Sequence, residues 1–270
     1  FFGDENQRRI DQYQNLENQV ISLKDKLPKD LQDAYFQLVY YPAKAASLIN
    51  KKFLHADKAT IYGKQGRLNA KDYALKSENA FNEIKAITQE YNQIANGKWN
   101  FMMDMSPRKL PVFEMPTIEI PVQADVVDSV GILAENETDP TANESKLPVY
   151  AQDSNAAHFV DLFLKKEAVV SWQLQNLPDW VIVNKKTGVL NGKESNNERI
   201  QISIDWNKWK KNPVGKAQFT IHYGDKTKGI TLEIDSNNAA VANQSFIAIE
   251  DRVVIYAQNF TSLINQEPYQ

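Results

Sequence analysis

Hydrolysis of a glycosidic bond needs a proton donor and a base on opposite sides of that bond, and two carboxyl groups are the usual means. In this chain Asp104, Glu114 and Glu119 are the acids with a claim to that chemistry, because they lie in an otherwise apolar segment where partial burial would raise a carboxyl pKa. Read plainly, they are solvated or paired with Arg108 and Lys109, and Asp104 with Glu114 forms no recognisable catalytic pair. His55, His158 and His222 are scattered over one expected helix and two expected strands. On a helix His55 and Asp57, at i and i+2, point apart. The chain has no glycine-rich phosphate loop, no G-x-S-x-G elbow and no H-E-x-x-H. Zero cysteines remove disulfides, thiolate nucleophiles and most zinc sites. No cofactor or metal is expected.

Stacking on sugar rings is the second chemistry within reach, since aromatic faces suit it. Trp180 and Trp209 are the candidate sugar-stacking residues, Trp209 because it falls in the lysine-rich stretch Asn207 to Asn212; Trp172 and Trp206 sit in the inward register of strands. A carbohydrate-binding module for xylan or a related plant polysaccharide is therefore an alternative function.

The elements that must position these groups divide the chain in two. Ile10, Tyr13, Leu16, Val20, Leu23 and Leu27 make one apolar stripe on a helix that Asp4 can cap with Gln7. A second helix runs from Leu31 to roughly Tyr62, rich in alanine, kinked at Pro42 and apolar on more than one face. Asn69 can cap a third, whose inner stripe is Tyr73, Ala80, Ile84, Ile87, Tyr91 and Ile94, and Gly97 ends it in a positive-φ conformation. From His158 the period changes to two: Val170-Trp172-Leu174, Ile200-Ile202-Ile204-Trp206, Ala217-Phe219-Ile221-Tyr223 and Ile230-Leu232-Ile234 each alternate with polar neighbours. The fold class that follows is multidomain α + β, an antiparallel three-helix bundle followed by an immunoglobulin-like antiparallel β-sandwich. The expected domains are 1–105 helical bundle, 106–150 proline-rich connector and loop, 151–240 β-sandwich, and 241–270 the start of a further β domain or an extra strand.

Prolines 107, 111, 116 and 121 forbid helix in the connector, yet Trp99, Phe101, Met102, Met103, Met105, Val112, Phe113 and Met115 make it too apolar for a solvated linker. It must pack against something. A net charge of −3 and a pI near 5.7 give no electrostatic reason for a nucleic-acid partner or an anionic membrane surface. No apolar run approaches the ~20 residues of a membrane-spanning helix. The chain opens with Phe1 and Phe2 rather than Met, which reads as an internal piece of a longer polypeptide.

Several segments resemble glycoside hydrolase family 115, the xylan α-1,2-glucuronidases. They are FGDENQRRIDQ from Phe2, YYPAKAASLINKKFLHADKA from Tyr40, YGKQGR from Tyr62, GKWNFMMDMSPRKLPVFEMP from Gly97, NLPDWVIVNKKTGVLNG from Asn176 and ERIQISIDW from Glu198. Val253 to Thr261 resembles the start of that family's last β domain, so the resemblance covers nearly the whole chain. It implies a parent enzyme that removes 4-O-methyl-glucuronic or glucuronic acid from glucuronoxylan with inversion, its acid and base lying in a (β/α)8 barrel upstream of the helices. No catalytic residue of that barrel has a counterpart here. The resemblance further implies that the helical part packs on its own upstream barrel and takes part in a homodimer. Trp99, Met102, Met103, Arg108 and Phe113 become candidate domain or dimer contacts, and an exported bacterial enzyme, periplasmic or on the cell surface, is the implied location.

Overall fold

In the computed structural model, which describes residues 4–24, 26–122 and 126–236, the chain is of the α + β class. Helix α1 spans Glu5–Lys24, and the Asp4 carboxylate accepts the Gln7 N–H at 3.1 Å, the N-terminal cap the sequence called for. Its apolar stripe is thinner than expected. Ile10 and Val20 are buried while Leu16 and Leu23 are exposed.

The second helical segment starts as α2 (Gln32–Tyr35), widens into a π turn over Phe36–Tyr40 and continues as α3 (Tyr41–Lys64). Pro42 lacks the N–H that would close an ordinary turn on Leu38, so the irregularity falls in the turn before the proline. Helix α4 covers Ala70–Gly97, although Ile94, Ala95 and Asn96 already leave helical geometry and Gly97 takes φ +75°. Asn69 makes no cap hydrogen bond; its side-chain amide reaches Asn197 Oδ1 at 3.1 Å. α3 packs along both α1 and α4.

The β part comprises two sheets. The first holds β1 (Val130–Ala134), β4 (His158–Leu164), β8 (Asn197–Ile204) and β6 (Val181–Val183) in the order β1-β4-β8-β6. The second runs β2-β10-β9-β5-β7, with β2 (Glu144–Lys146), β10 (Lys226–Asp235), β9 (Lys216–Tyr223), β5 (Val169–Gln175) and β7 (Thr187–Asn191), and β3 (Tyr150–Ala151) also pairs with β10. β2 and β3 run parallel to β10, so the second sheet is mixed and not wholly antiparallel as expected, while the first is antiparallel throughout. β1 and β2 also fall within the 106–150 stretch read as connector and loop; with no alternation to reveal it, β1 is buried along its whole length. The expected element at 241–270 lies outside the described residues.

All four alternating runs appear as strands with their named residues turned inward, except that Trp206 lies beyond its strand and opens the short helix Trp206–Trp209. Trp172, Ile200, Ile202, Phe219, Ile221, Ile230 and Leu232 meet Val160, Leu162 and Leu164 in one core between the sheets. β4 is apolar on both faces because its other face is covered too. Phe163, Asp161 and Leu133 point away from the core and are nevertheless buried, since the turn between α3 and α4 lies on them. There Leu68 N–H donates to Leu164 O at 2.8 Å. The molecule thus has three layers: helices, the four-stranded sheet, and the second sheet.

Candidate functional site at the helix–sheet seam

The seam is built from the Tyr62 to Arg67 turn, the N-terminus of α1 and the outer face of β1, β4 and β8. Strand pairing sets Asp161 between Leu133 and Arg199, and Gly131 beside Phe163. A Cβ on Gly131 would lie 2.3 Å from the Phe163 ring, so only glycine lets that ring lie across the strand. The Arg67 guanidinium covers the Phe163 ring, 4.2 Å from its centroid, and the Tyr62 ring at 4.1 Å. Arg67 also donates to Asp161 Oδ2 at 3.1 Å and to Gln65 Oε1 at 2.6 Å. Arg199 grips both Asp161 oxygens, at 2.7 and 2.9 Å, and donates from its remaining nitrogen to Asp4 Oδ2 at 2.7 Å. Lys58 completes the cluster with Gln7 Oε1 at 2.7 Å and Asp4 at 3.5 Å.

A cleft of about 480 Å³ opens beside this network, walled by Ile61, Tyr62, Leu133 and Ala134 with Glu135 and Thr138 at its edge. The electrostatics are those of a lock. Burial alone would raise the Asp4 carboxyl, but Lys58 and Arg199 outweigh it and hold the pKa below the usual range. Burial would likewise lower Arg199, and Asp161 and Asp4 reverse that and raise it. Burial lowers Lys58, only partly offset by Asp4. Every acid at the centre of the seam is thus committed to a cation, and fixing the helices on the sheet is what this geometry does. Among the described residues no group of three or more His, Asp or Glu side chains is placed to hold a metal ion, and no described helix is long and apolar enough to cross a membrane.

The connector is strapped across the helices. Buried Lys52 donates to the carbonyls of Val112 and Glu114 at 3.0 and 2.7 Å, and Asn92 brackets Met103 through both its N–H and its C=O. Met105 packs on Leu48, Ala80, Ile84 and Ile87. Ile120 passes directly over Gly63, where an added Cβ would sit 3.1 Å from its Cα. Of the candidate contacts, Trp99, Met103 and Phe113 are half-buried within the chain, whereas Met102 and Arg108 stay exposed. Phe101 is 89% exposed, Met102 61% and Val112 53%. Asp104 and Glu114 are both exposed and engage Ser106, at its N–H and its hydroxyl, instead of facing each other across a cleft.

The two sugar-stacking candidates are corrected. Trp180 is 8% and Trp209 4% exposed, both in the core between the sheets. Asp205 caps a short helix, α5 (Trp206–Trp209), through the Lys208 N–H at 3.1 Å. That turn swings Trp209 inward onto Trp206, and its indole N–H finds Val214 O at 3.0 Å. The seam itself was missed. Its signal was present: Asp161 interrupts an otherwise apolar strand, and a buried acid calls for a cation elsewhere in the chain.

No family model and no curated protein matches the chain. Among solved structures it is similar to a family 115 4-O-methyl-alpha-glucuronidase with specificity for decorated arabinogalactans, at 22% identity over 76% of this chain and 32% of that one, TM-score 0.38. The chain thus spans about a third of that enzyme's length. The C. elegans MSP family member WR4 is similar over 40% of this chain and 98% of its own, at 8% identity and TM-score 0.28. An ASH/PapD-like domain of human CEP192 covers 45% of this chain and 99% of its own, at 8% identity and TM-score 0.26. At these TM-scores none of the three establishes a fold or a function for this chain.

Proposed function

We propose that the chain is the accessory region following the catalytic barrel of a family 115 xylan α-1,2-glucuronidase: a three-helix bundle and an immunoglobulin-like sandwich that brace the barrel and carry homodimer contacts. The parent would remove (4-O-methyl-)glucuronic acid from glucuronoxylan outside a bacterial cytoplasm, in the periplasm or at the cell surface, and this region would supply no reacting group. The observation that carries the reading is the connector. Its backbone is pinned by Lys52 and Asn92, yet Phe101, Met102 and Val112 face outward. A rigid strip that displays large apolar side chains is what a further domain covers. In support, five of the six resembling segments hold residues that build the seam and the strap: Asp4, Lys52 with Lys58, Arg67, the connector and Arg199.

The test is the size of the natural product together with its activity. An antibody raised against this chain should detect, in the source cells, a polypeptide several times heavier than 30.8 kDa, and the purified chain should release no glucuronate from glucuronoxylan. A band near 30.8 kDa, or glucuronate release by the chain alone, overturns the proposal.

A further inference from the structure

On the sandwich, away from the seam, a cavity of about 340 Å³ lies between the start of β1, the turn at 140–143 and the β9–β10 hairpin. Three lysines line it, Lys165, Lys226 and Lys228, against one acid, Asp128. Asp128 is already ion-paired with Lys226. Among the described residues the other two ammonium groups have no such partner. Lys228 is 4% exposed and donates only to the carbonyl of Ile132, at 2.8 Å. Half-buried Lys165 makes no side-chain hydrogen bond or ion pair among the described residues.

Burying an ammonium without a counter-charge is unfavourable, and burial indeed holds the Lys228 pKa down. The charges of Glu137 and Asp139 offset that burial only in part, and both acids spend hydrogen bonds elsewhere. Glu137 accepts the backbone N–H groups of Ala134 and Lys146, both at 2.9 Å, and Asp139 accepts both donors of Thr141, at 2.9 and 2.7 Å. Exposed Asn143 and half-buried Tyr223 also line the cavity, and neither makes a side-chain hydrogen bond among the described residues. Its volume is at the lower end of the range for small-ligand sites.

We propose that this cavity binds a small hydroxylated carboxylate, a sugar acid or hydroxy acid, with the carboxylate held by Lys165 and Lys228 and the hydroxyls by Asn143 and Tyr223. This does not rest on the accessory reading, because no residue of the connector or of the seam lock takes part.

Calorimetric titration of the full 270-residue chain with galacturonate, galactose and inorganic phosphate tests it. Galacturonate should bind saturably and galactose should not. Lys228→Met and Lys165→Gln should each weaken galacturonate by about tenfold or more, the loss expected for one charge-assisted hydrogen bond. Lys165→Gln decides the matter should Lys228→Met fail to fold. Absence of saturable galacturonate binding, or wild-type affinity in Lys165→Gln, overturns the site. Phosphate binding as tight as galacturonate overturns the choice of a hydroxylated carboxylate.

Discussion

The interior between the two sheets and the interior among the helices are built from opposite materials. Between the sheets lie side chains such as Leu162, Leu164, Ile202, Phe219 and Leu232, all fully buried. Among the helices the chain buries Lys44, Lys52, Lys58, Glu17, Ser47 and Ser77 beside a sparse apolar set. Glu17 shows the logic. It accepts from Lys44, from Ser47 at 2.9 Å and from Lys51 at 2.7 Å, so one carboxylate on α1 seats the helix on α3. Lys44 also pairs with Glu83 on α4, at 2.6 Å. Apolar packing is non-directional and tolerates swaps that conserve volume, while a buried ionic contact tolerates neither truncation nor loss of charge. The sandwich is specified by volume and the helices by pairing.

The seam, where the two materials meet, should show the largest effect. Asp161→Ala leaves buried Arg67 and half-buried Arg199 without their shared carboxylate, a loss on the order of 3–5 kcal/mol. Chemical denaturation monitored separately by near- and far-ultraviolet circular dichroism should then give two transitions, as the helices leave the sheet before the sandwich unfolds. A single transition of unchanged midpoint would mean that the lock contributes nothing.

Swaps that conserve size should separate the two interiors next. Glu17→Gln keeps shape and removes charge, and about 1–3 kcal/mol of destabilisation is expected from weakened bonds to Lys44 and Lys51. Leu232→Met keeps both hydrophobicity and volume, and should cost less than about 1.5 kcal/mol. Urea midpoints in the reverse order would break the comparison. Gly131→Ala is the exception in the β part: its new methyl meets the fully buried Phe163 ring, which Arg67 covers, and about 1–3 kcal/mol should be lost through overpacking.

This contrast also decides how much could be read before the structure. Period-two alternation marked β5, β8, β9 and β10 correctly because each turns one row of apolar residues into the core and a more polar row away from it. β1 and β4, covered on both sides, carry no alternation, and β1 went unread. The helix positions and the Asp4 cap were legible from spacing and capping chemistry. The polar interior was not, since Glu17, Lys44 and Lys52 look like solvated residues until a partner is known. Trp180 and Trp209 failed for a related reason: the helical turn capped by Asp205, which carries Trp209 inward, is too short to leave a periodic trace. Of the seam, the Tyr62 to Arg67 turn drew notice through its resemblance, but the Asp4, Asp161 and Arg199 lock is assembled from positions up to 195 apart in sequence.

The most gradual expected effect concerns pH and falls on the helices alone. His55 lies among Lys51, Lys58 and Lys76, its ring against Tyr73, and its Nδ1 has no hydrogen-bond partner among the described residues. Burial first, and then those three lysines, push its pKa down from 6.5 to about 4. The folded chain therefore takes up this proton at a lower pH than the unfolded chain does. Above pH 6.5 the imidazole is neutral in both states and adds no pH dependence. Between pH 6.5 and about 4 the unfolded state holds more protons, so stability should fall as the pH falls, by at most about 1.4 kcal/mol per unit. Asp4, whose carboxyl is held below its ordinary 3.8, gives up its contribution only at lower pH still, so the two windows are distinct. Urea midpoints measured from pH 7 to 4.5 should decline in the wild type and flatten in His55→Gln. An equal decline in both would place the sensitivity elsewhere, and a decline confined to the sandwich transition of Asp161→Ala would assign it to the wrong half of the molecule.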